Sequence, residues 1–238
     1  MEIPTENLTP GTVAVIVHED GTEEIVKTST TGADGVVLTL DSSATVKIVD
    51  NTKPMNDVTG DEWYADSVAW ATSHEVMNGV GNGEFHADAE ASRGQITQLL
   101  MNLDGAEAPA DLVEFLDVHA DDWFAGSVAW AVENGVAQGE GEKFGANGPV
   151  SREQLAVMLY NYAQYKGYDV SVSGDVSSFP DAGDVNGYAQ QALAWAVGAG
   201  LINGTTDAQG NVVLDPPGTA TRGQIAAIIG RFCENVAK

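Results

Sequence analysis

A block of about sixty residues recurs three times from Met55 onward, and this repetition constrains the fold more than any other feature. The first copy opens Asn56-Asp57-Val58 and continues Trp63-Tyr64-Ala65-Asp66-Ser67-Val68-Ala69-Trp70-Ala71. The second has Leu116-Asp117-Val118, then Trp123-Phe124-Ala125-Gly126-Ser127-Val128-Ala129-Trp130-Ala131. The third has Pro180-Asp181-Ala182, then Tyr188-Ala189-Gln190-Gln191-Ala192-Leu193-Ala194-Trp195-Ala196. Nine residues past the second aromatic each copy has a glycine: Gly79, Gly139 or Gly204. Each closes on Ser92-Arg93-Gly94-Gln95, Ser151-Arg152-Glu153-Gln154 or Thr221-Arg222-Gly223-Gln224.

Within a copy the pattern reads as helix, loop, helix. Asp61, Asp121 and Asn186 stand two residues before the leading aromatic, where a short polar side chain can cap a helix. The Ala-rich stretch that follows has apolar residues at helical spacing, such as Tyr64, Val68 and Ala71. Gly135 and Gly200 end it in copies two and three; copy one has Glu75 there, which predicts a different termination. The Ser/Thr-x-x-Gln motif is a capping box that starts the second helix, continued in copy two by Leu155, Met158, Leu159 and Tyr162. The loop between helices is short around Gly139 and Phe144, while residues 204–221 read as a hairpin-like excursion.

The first fifty residues differ. Short β-rich runs at 12–18, 24–29, 36–40 and 44–50 are separated by turn signals such as Glu19-Asp20-Gly21 and Ala33-Asp34-Gly35. They predict a small meander with a core that is marginal alone, a spacer or the tail of an upstream β-domain. The chain therefore divides into a β-rich segment, 1–53, and repeats at 54–108, 109–172 and 173–238, mainly α in class.

A formal net charge of −25 makes a surface that repels DNA, RNA and anionic membranes, so no nucleic-acid partner is expected. The single cysteine, Cys233, excludes an internal disulfide framework and an all-cysteine metal site. No apolar run approaches the roughly 20 residues that cross a bilayer, so no membrane insertion is expected. The opening MEIPTENLTPG has no basic region followed by an apolar stretch; for an exported protein the signal would lie upstream.

These residues resemble the S-layer-homology family. Its pattern is a Phe-x-Asp-Val opening, an aromatic-led helix, a Gly-rich turn with a Phe, and a Thr-Arg-Ala-Glu-like tetrapeptide. Met55 departs from the opening that Phe115 and Phe179 keep, Tyr188 replaces the leading Trp, and Gln replaces the last Glu of each tetrapeptide. The resemblance implies a pseudo-threefold unit with a central helical bundle and grooves between lobes. Those grooves would bind secondary cell-wall polysaccharide, often pyruvylated and hence anionic. It further implies non-covalent anchoring of a secreted protein at the bacterial cell surface, without catalysis or a cofactor. The alternative is a self-association module of a surface lattice.

Arg93, Arg152 and Arg222, three of only four arginines, occupy the first turn of the second helix in successive copies. A cation there opposes the helix dipole. Either it snorkels or pairs with a carboxylate, or it joins free helix N–H groups in an anion site. On the second reading, alanine at all three positions weakens wall binding and preserves helicity. Trp70, Trp130 and Trp195 read as core, whereas Trp63, Trp123 and Tyr188 divide between packing and sugar contact. Asp57, Asp117 and Asp181 either bond the backbone in turns or meet sugar hydroxyls. Gly79, Gly139 and Gly204 serve backbone geometry or let a sugar approach. His18, His74, His86 and His119 are out of register with the repeats and form no catalytic arrangement. Asp181, Asp184 and Asn186 leave a structural calcium open, although their spacing is not that of an EF-hand.

Overall fold

The computed structural model describes every residue except Asn7, Asp41 and Lys238. Its strands are β1 (Glu2–Pro4), β2 (Thr12–Val17), β3 (Glu23–Ile25), β4 (Thr30–Thr31), β5 (Gly35–Val37), β6 (Thr45–Asp50), β7 (Thr205–Thr206) and β8 (Val212–Val213). Its helices are α1 (Ala65–Ser73), α2 (Arg93–Asp104), α3 (Ala125–Glu133), α4 (Arg152–Tyr165), α5 (Gln190–Gly198) and α6 (Arg222–Asn235). The class is mixed, with more helix than strand. Two compact units emerge, one of Met1–Ala89, Asn102–Gly105 and Arg222–Lys238, the other of Glu90–Met101 and Ala106–Thr221.

In the first unit the β-rich residues form two antiparallel three-stranded sheets, in the orders β3-β2-β6 and β1-β5-β4, where one meander was expected. The strands missed were β1 and β4, of three and two residues, too few to show alternation; β1 is held by pairing Ile3 with Val36, and β4 by pairing Thr31 with the same Val36. Val13 faces Val49 and Val15 faces Lys47 across β2 and β6. Ala14, Val36 and Leu38 are buried, with Ile3, Leu8, Val26, Val46 and Ile48 packed around them. So small a core needs support, and α1 supplies it. Trp70 Nε1 donates to the Ser29 carbonyl at 3.1 Å, and Asn51 Nδ2 donates to the Ser73 carbonyl at 2.6 Å. Lys27 and Lys53 reach the Glu75 carboxylate at 3.3 and 2.8 Å. In the same unit α1 packs on α6.

In the second unit α4 packs on α5. Trp195 is buried there, with the Tyr160 ring edge-on at 5.5 Å, and Gln191 Nε2 donates to the Tyr160 hydroxyl at 2.6 Å. Residues 204–221 form the expected hairpin, Thr205 opposite Val213. Trp70, Trp130 and Trp195 are all buried.

The first helices start later than expected. Their N-cap residues are Tyr64, Phe124 and Ala189, none with a side-chain cap bond. Asp61, Asp121 and Asn186 therefore do not cap them. The chain instead enters through a turn in which the N–H groups of Ala65, Ala125 and Ala189 meet the carbonyls of Glu62, Asp122 and Asn186. The exits are alike in all three copies: Gly135 and Gly200 turn at φ +68° and +72°, and Glu75 adopts the same left-handed form at +56°. The difference expected of copy one is a difference in strain, not in geometry. Both arms of the capping box are formed by Ser92 with Gln95 and by Ser151 with Gln154.

Candidate functional site

Each opening aspartate grips the glycine-rich loop of its own copy. Asp57 accepts the N–H groups of Phe85 and His86 at 2.8 and 2.7 Å, and Asp117 those of Phe144 and Gly145, both at 2.8 Å. Asp181 accepts those of Leu214 and Asp215 at 2.9 and 2.6 Å. Burial alone would raise the pKa values of Asp57 and Asp117. Their two backbone bonds outweigh it and hold both carboxyls below the ordinary aspartate value.

The arginine of a different copy holds the other side of that loop. Arg93 Nε donates to the Phe144 carbonyl at 3.1 Å and Nη2 to that of Gln138 at 2.9 Å. Arg152 Nε donates to Leu214 O at 2.7 Å; Arg222 donates to Phe85 O at 2.8 Å and to Asn78 O at 2.7 Å. Phe144 and Phe85 lie under the guanidinium groups of Arg93 and Arg222, at 4.8 and 4.5 Å. Burial draws all three arginine pKa values down; nearby Glu140, Asp215 and Asp57 respectively oppose it, and the groups stay cationic.

The expectation of free N–H groups at these helix starts is corrected. Arg93 and Gly94 donate their backbone N–H to Gly148 and Ala146, Arg152 and Glu153 to Gly218 and Pro216, and Arg222 and Gly223 to Ala89 and Ala87. The helix dipole is answered by carbonyls of the loop, and the arginines by carbonyls beside them. Nor is the space above the three glycines vacant. A Cβ at Gly79, Gly139 or Gly204 would press on Met55, Phe115 or Phe179, the opening residue of its own copy. At the residues of the calcium reading, both Asp181 oxygens accept backbone N–H groups and the Asn186 side-chain NH₂ donates to Glu153. Among the described residues no group of three or more acidic, His or Cys side chains could hold a metal ion.

The leading aromatics are exposed: Trp63 at 65%, Trp123 at 58% and Tyr188 at 60%. In the second unit one of them borders a cleft of about 350 Å³, whose lining includes Arg93, Gln138, Glu140, Gln154, Asn161 and Tyr188. Two of the five guanidinium N–H groups of Arg93 are spent on carbonyls, so the rest can face the cleft. Gln154 uses its carbonyl oxygen in the capping box, which leaves its NH₂ as a donor. Tyr188 is anchored from behind. Its hydroxyl donates to Glu153 at 2.8 Å, and the same buried carboxylate accepts the Asn186 side chain at 2.7 Å and its N–H at 3.2 Å. Burial first, and then the bond and charge of Glu153, push the Tyr188 phenol up to about 12.

Comparison with known proteins decides the family. The model for "S-layer homology domain" matches residues 54–97 and 114–156, the first two copies. The chain belongs to the S-layer homology family. It is 33% identical over 184 residues to the surface-layer 125 kDa protein of Lysinibacillus sphaericus, covering 76% of this chain and 15% of that protein. It is 27% identical over 181 residues to an amylopullulanase of Thermoanaerobacterium thermosulfurigenes, 74% of this chain and 9% of the enzyme. The S-layer protein of Bacillus thuringiensis subsp. finitimus is 25% identical over 191 residues, 78% and 22% of the two chains. The chain thus spans a minor fraction of these relatives' lengths. S-layer homology domains anchor surface proteins to the cell wall and are themselves non-catalytic, even where, as with the amylopullulanase, a relative is named as an enzyme. The third copy lies outside the matched residues but carries the same aspartate clamp and arginine contact.

Sequence reasoning overlooked Gln138, Glu140, Gln154 and Asn161 as cleft residues and Glu153 as the anchor of Tyr188. For Glu153 a signal existed: the closing tetrapeptides have glycine at that position in the other two copies. A Cβ at Gly94 would stand 3.2 Å from Phe124, and at Gly223 3.3 Å from Tyr64. Copy three has Ala189 in place of that aromatic, and the space it frees admits a carboxylate.

Proposed function

We propose that this chain anchors a secreted protein non-covalently to the bacterial cell wall by binding secondary cell-wall polysaccharide in grooves between repeats. The sugar of this reading is anionic and pyruvylated, and the three copies form a pseudo-threefold unit. The observation that carries it is the cleft beside Arg93: a guanidinium with unspent donors, side-chain amides, and an exposed tyrosine held at its edge. Trp63 and Trp123, exposed at the corresponding place in the other copies, take the role of Tyr188 there. Arg152 and Arg222 contribute the walls of their grooves. The aspartates and glycines hold the loops that shape them. A local cation serves an anionic ligand despite the charge of −25, because exposed charges are screened over about 8 Å at physiological salt.

The test is retention. Purified wall sacculi should hold the protein and release it once acid has stripped the polymer; equal retention by polymer-free peptidoglycan overturns the reading. Alanine at the arginines is a poor probe, since it also frees the loops. Val157→Glu puts a carboxylate into the cleft lining and touches no loop bond. It should weaken retention with helicity intact, and undiminished retention would remove this cleft from the proposal.

A further inference from the structure

We propose that a second cleft, between the β-rich segment, α1 and α6, is a site for a neutral, hydroxyl-rich saccharide. This cleft of about 500 Å³ lies within the first unit and is lined by Thr31, Asp66, Trp70, Gly230, Arg231 and Glu234, among others. It is separate from the cleft beside Arg93 and does not depend on that one binding anything.

The case begins with a glycine that packing does not require. Gly230 lies inside α6, eight residues after Arg222. The same place in α4, eight residues after Arg152, holds Tyr160. There the tyrosine ring covers Trp195 at 5.5 Å, and its hydroxyl accepts from Gln191, four residues before that tryptophan. Four residues before Trp70 stands Asp66. The tyrosine and glutamine that close over one tryptophan are thus replaced, over the other, by a glycine and an aspartate. A Cβ at Gly230 would meet only the Trp70 ring, at 4.0 Å, an ordinary contact. Glycine is a poor helix former, so the missing side chain is unfavourable for the helix and unforced by crowding. Its effect is to leave the cleft open above the indole.

The groups around that opening define the ligand. Asp66 is exposed and has no hydrogen bond to protein among the described residues. Its carboxylate and that of Glu234 can accept hydrogen bonds from hydroxyl groups, Thr31 can donate or accept, and Arg231 contributes a cation. Two carboxylates against one guanidinium disfavour an anion, and the part of the Trp70 ring that lines the cleft offers an apolar contact for the C–H groups of a sugar. The volume falls within the range of small-ligand sites, about 300–1,000 Å³.

The experiment titrates the full chain with two probes, chitotriose as the neutral saccharide and a hexuronic-acid oligomer as the anionic one, followed by NMR shifts of the tryptophan indoles. The neutral probe should shift the Trp70 signal saturably. Gly230→Leu, which fills the opening, should weaken it about tenfold or more, as should Asp66→Ala, which breaks no protein bond; Val157→Glu should leave it unchanged. No saturable shift, equal affinity in both cleft variants, or preference for the anionic probe would each overturn the proposal. Failure here with wall retention intact would leave the anchoring reading standing, and the reverse result would separate them the other way.

Discussion

Mild acid should loosen the first unit through one residue, His74. Its side chain is fully buried, stacked on Trp70 at 4.6 Å between ring centroids. Nδ1 lies 2.8 Å from the Trp70 carbonyl and so carries the proton; Nε2, at 3.0 Å from Ser29 Oγ, accepts the hydroxyl. That arrangement suits a neutral imidazole. Burial above all, aided by the charge of Lys27 and opposed by the bond to Trp70, lowers its pKa from 6.5 to about 4. The unfolded chain therefore takes up the proton first. The stability is fully present above about pH 6.5 and is lost as pH falls towards 4. At about 1.4 kcal/mol per unit the whole effect is about 3 kcal/mol, with about 2 kcal/mol gone by pH 5. Denaturant unfolding followed by tryptophan fluorescence, between about pH 7.5 and pH 5, measures it. His74→Gln keeps a donor and an acceptor but cannot titrate, and its stability should be nearly flat over that interval. If wild type and variant lose stability in parallel, His74 is not the group responsible.

Three further outcomes are expected. Glu75→Gly should be more stable than Glu75→Ala by about 1 kcal/mol in thermal unfolding, because both lose the lysine pairs and only glycine is at ease at φ +56°. Asp117→Ala leaves the N–H groups of Phe144 and Gly145 without their acceptor and should cost about 2–4 kcal/mol, with Asp117→Asn near half of that. The wild-type share of this clamp is present above the ordinary aspartate pKa of 3.8 and lost as pH falls below it, so acid melts of Asp117→Ala should be flatter there. Glu153→Gln should bring one late-titrating tyrosine forward from about 12 in an ultraviolet titration, and Tyr188→Phe should remove that same transition.

What the sequence made legible was local. Helical spacing, glycine stops and the capping boxes each depend on residues within a few positions; the helices and their stops appear in the fold, as do the boxes of Ser92 and Ser151. The arginines show where that legibility ends. Their register was plain, but their partners are backbone carbonyls 51, 62 and 137 residues away, and a carbonyl carries no signature of its own in a sequence. An unexplained cation at a helix start therefore read as an invitation to an anion, when the loop had already answered it. The leading aromatics were undecided for a related reason. Trp70 sits inside an Ala-rich helical pattern that marks it as core, whereas Trp63 stands just before α1, where helical spacing says nothing of which way its ring faces, and only the fold shows it exposed. The first-helix caps failed because a turn displaced the helix start beyond the residues suited to cap it.

Because each arginine completes a loop that belongs to a different copy, no copy is a self-sufficient unit of inheritance. Deleting one repeat would orphan an arginine in one neighbour and a loop in another; duplicating one would add an arginine and a loop to a set of three contacts that is already closed. Copy number in such a chain is fixed by stereochemistry rather than by chance. Recombination should then move these repeats between proteins as an intact set of three, and single-copy gains or losses should be selected against before any ligand is involved.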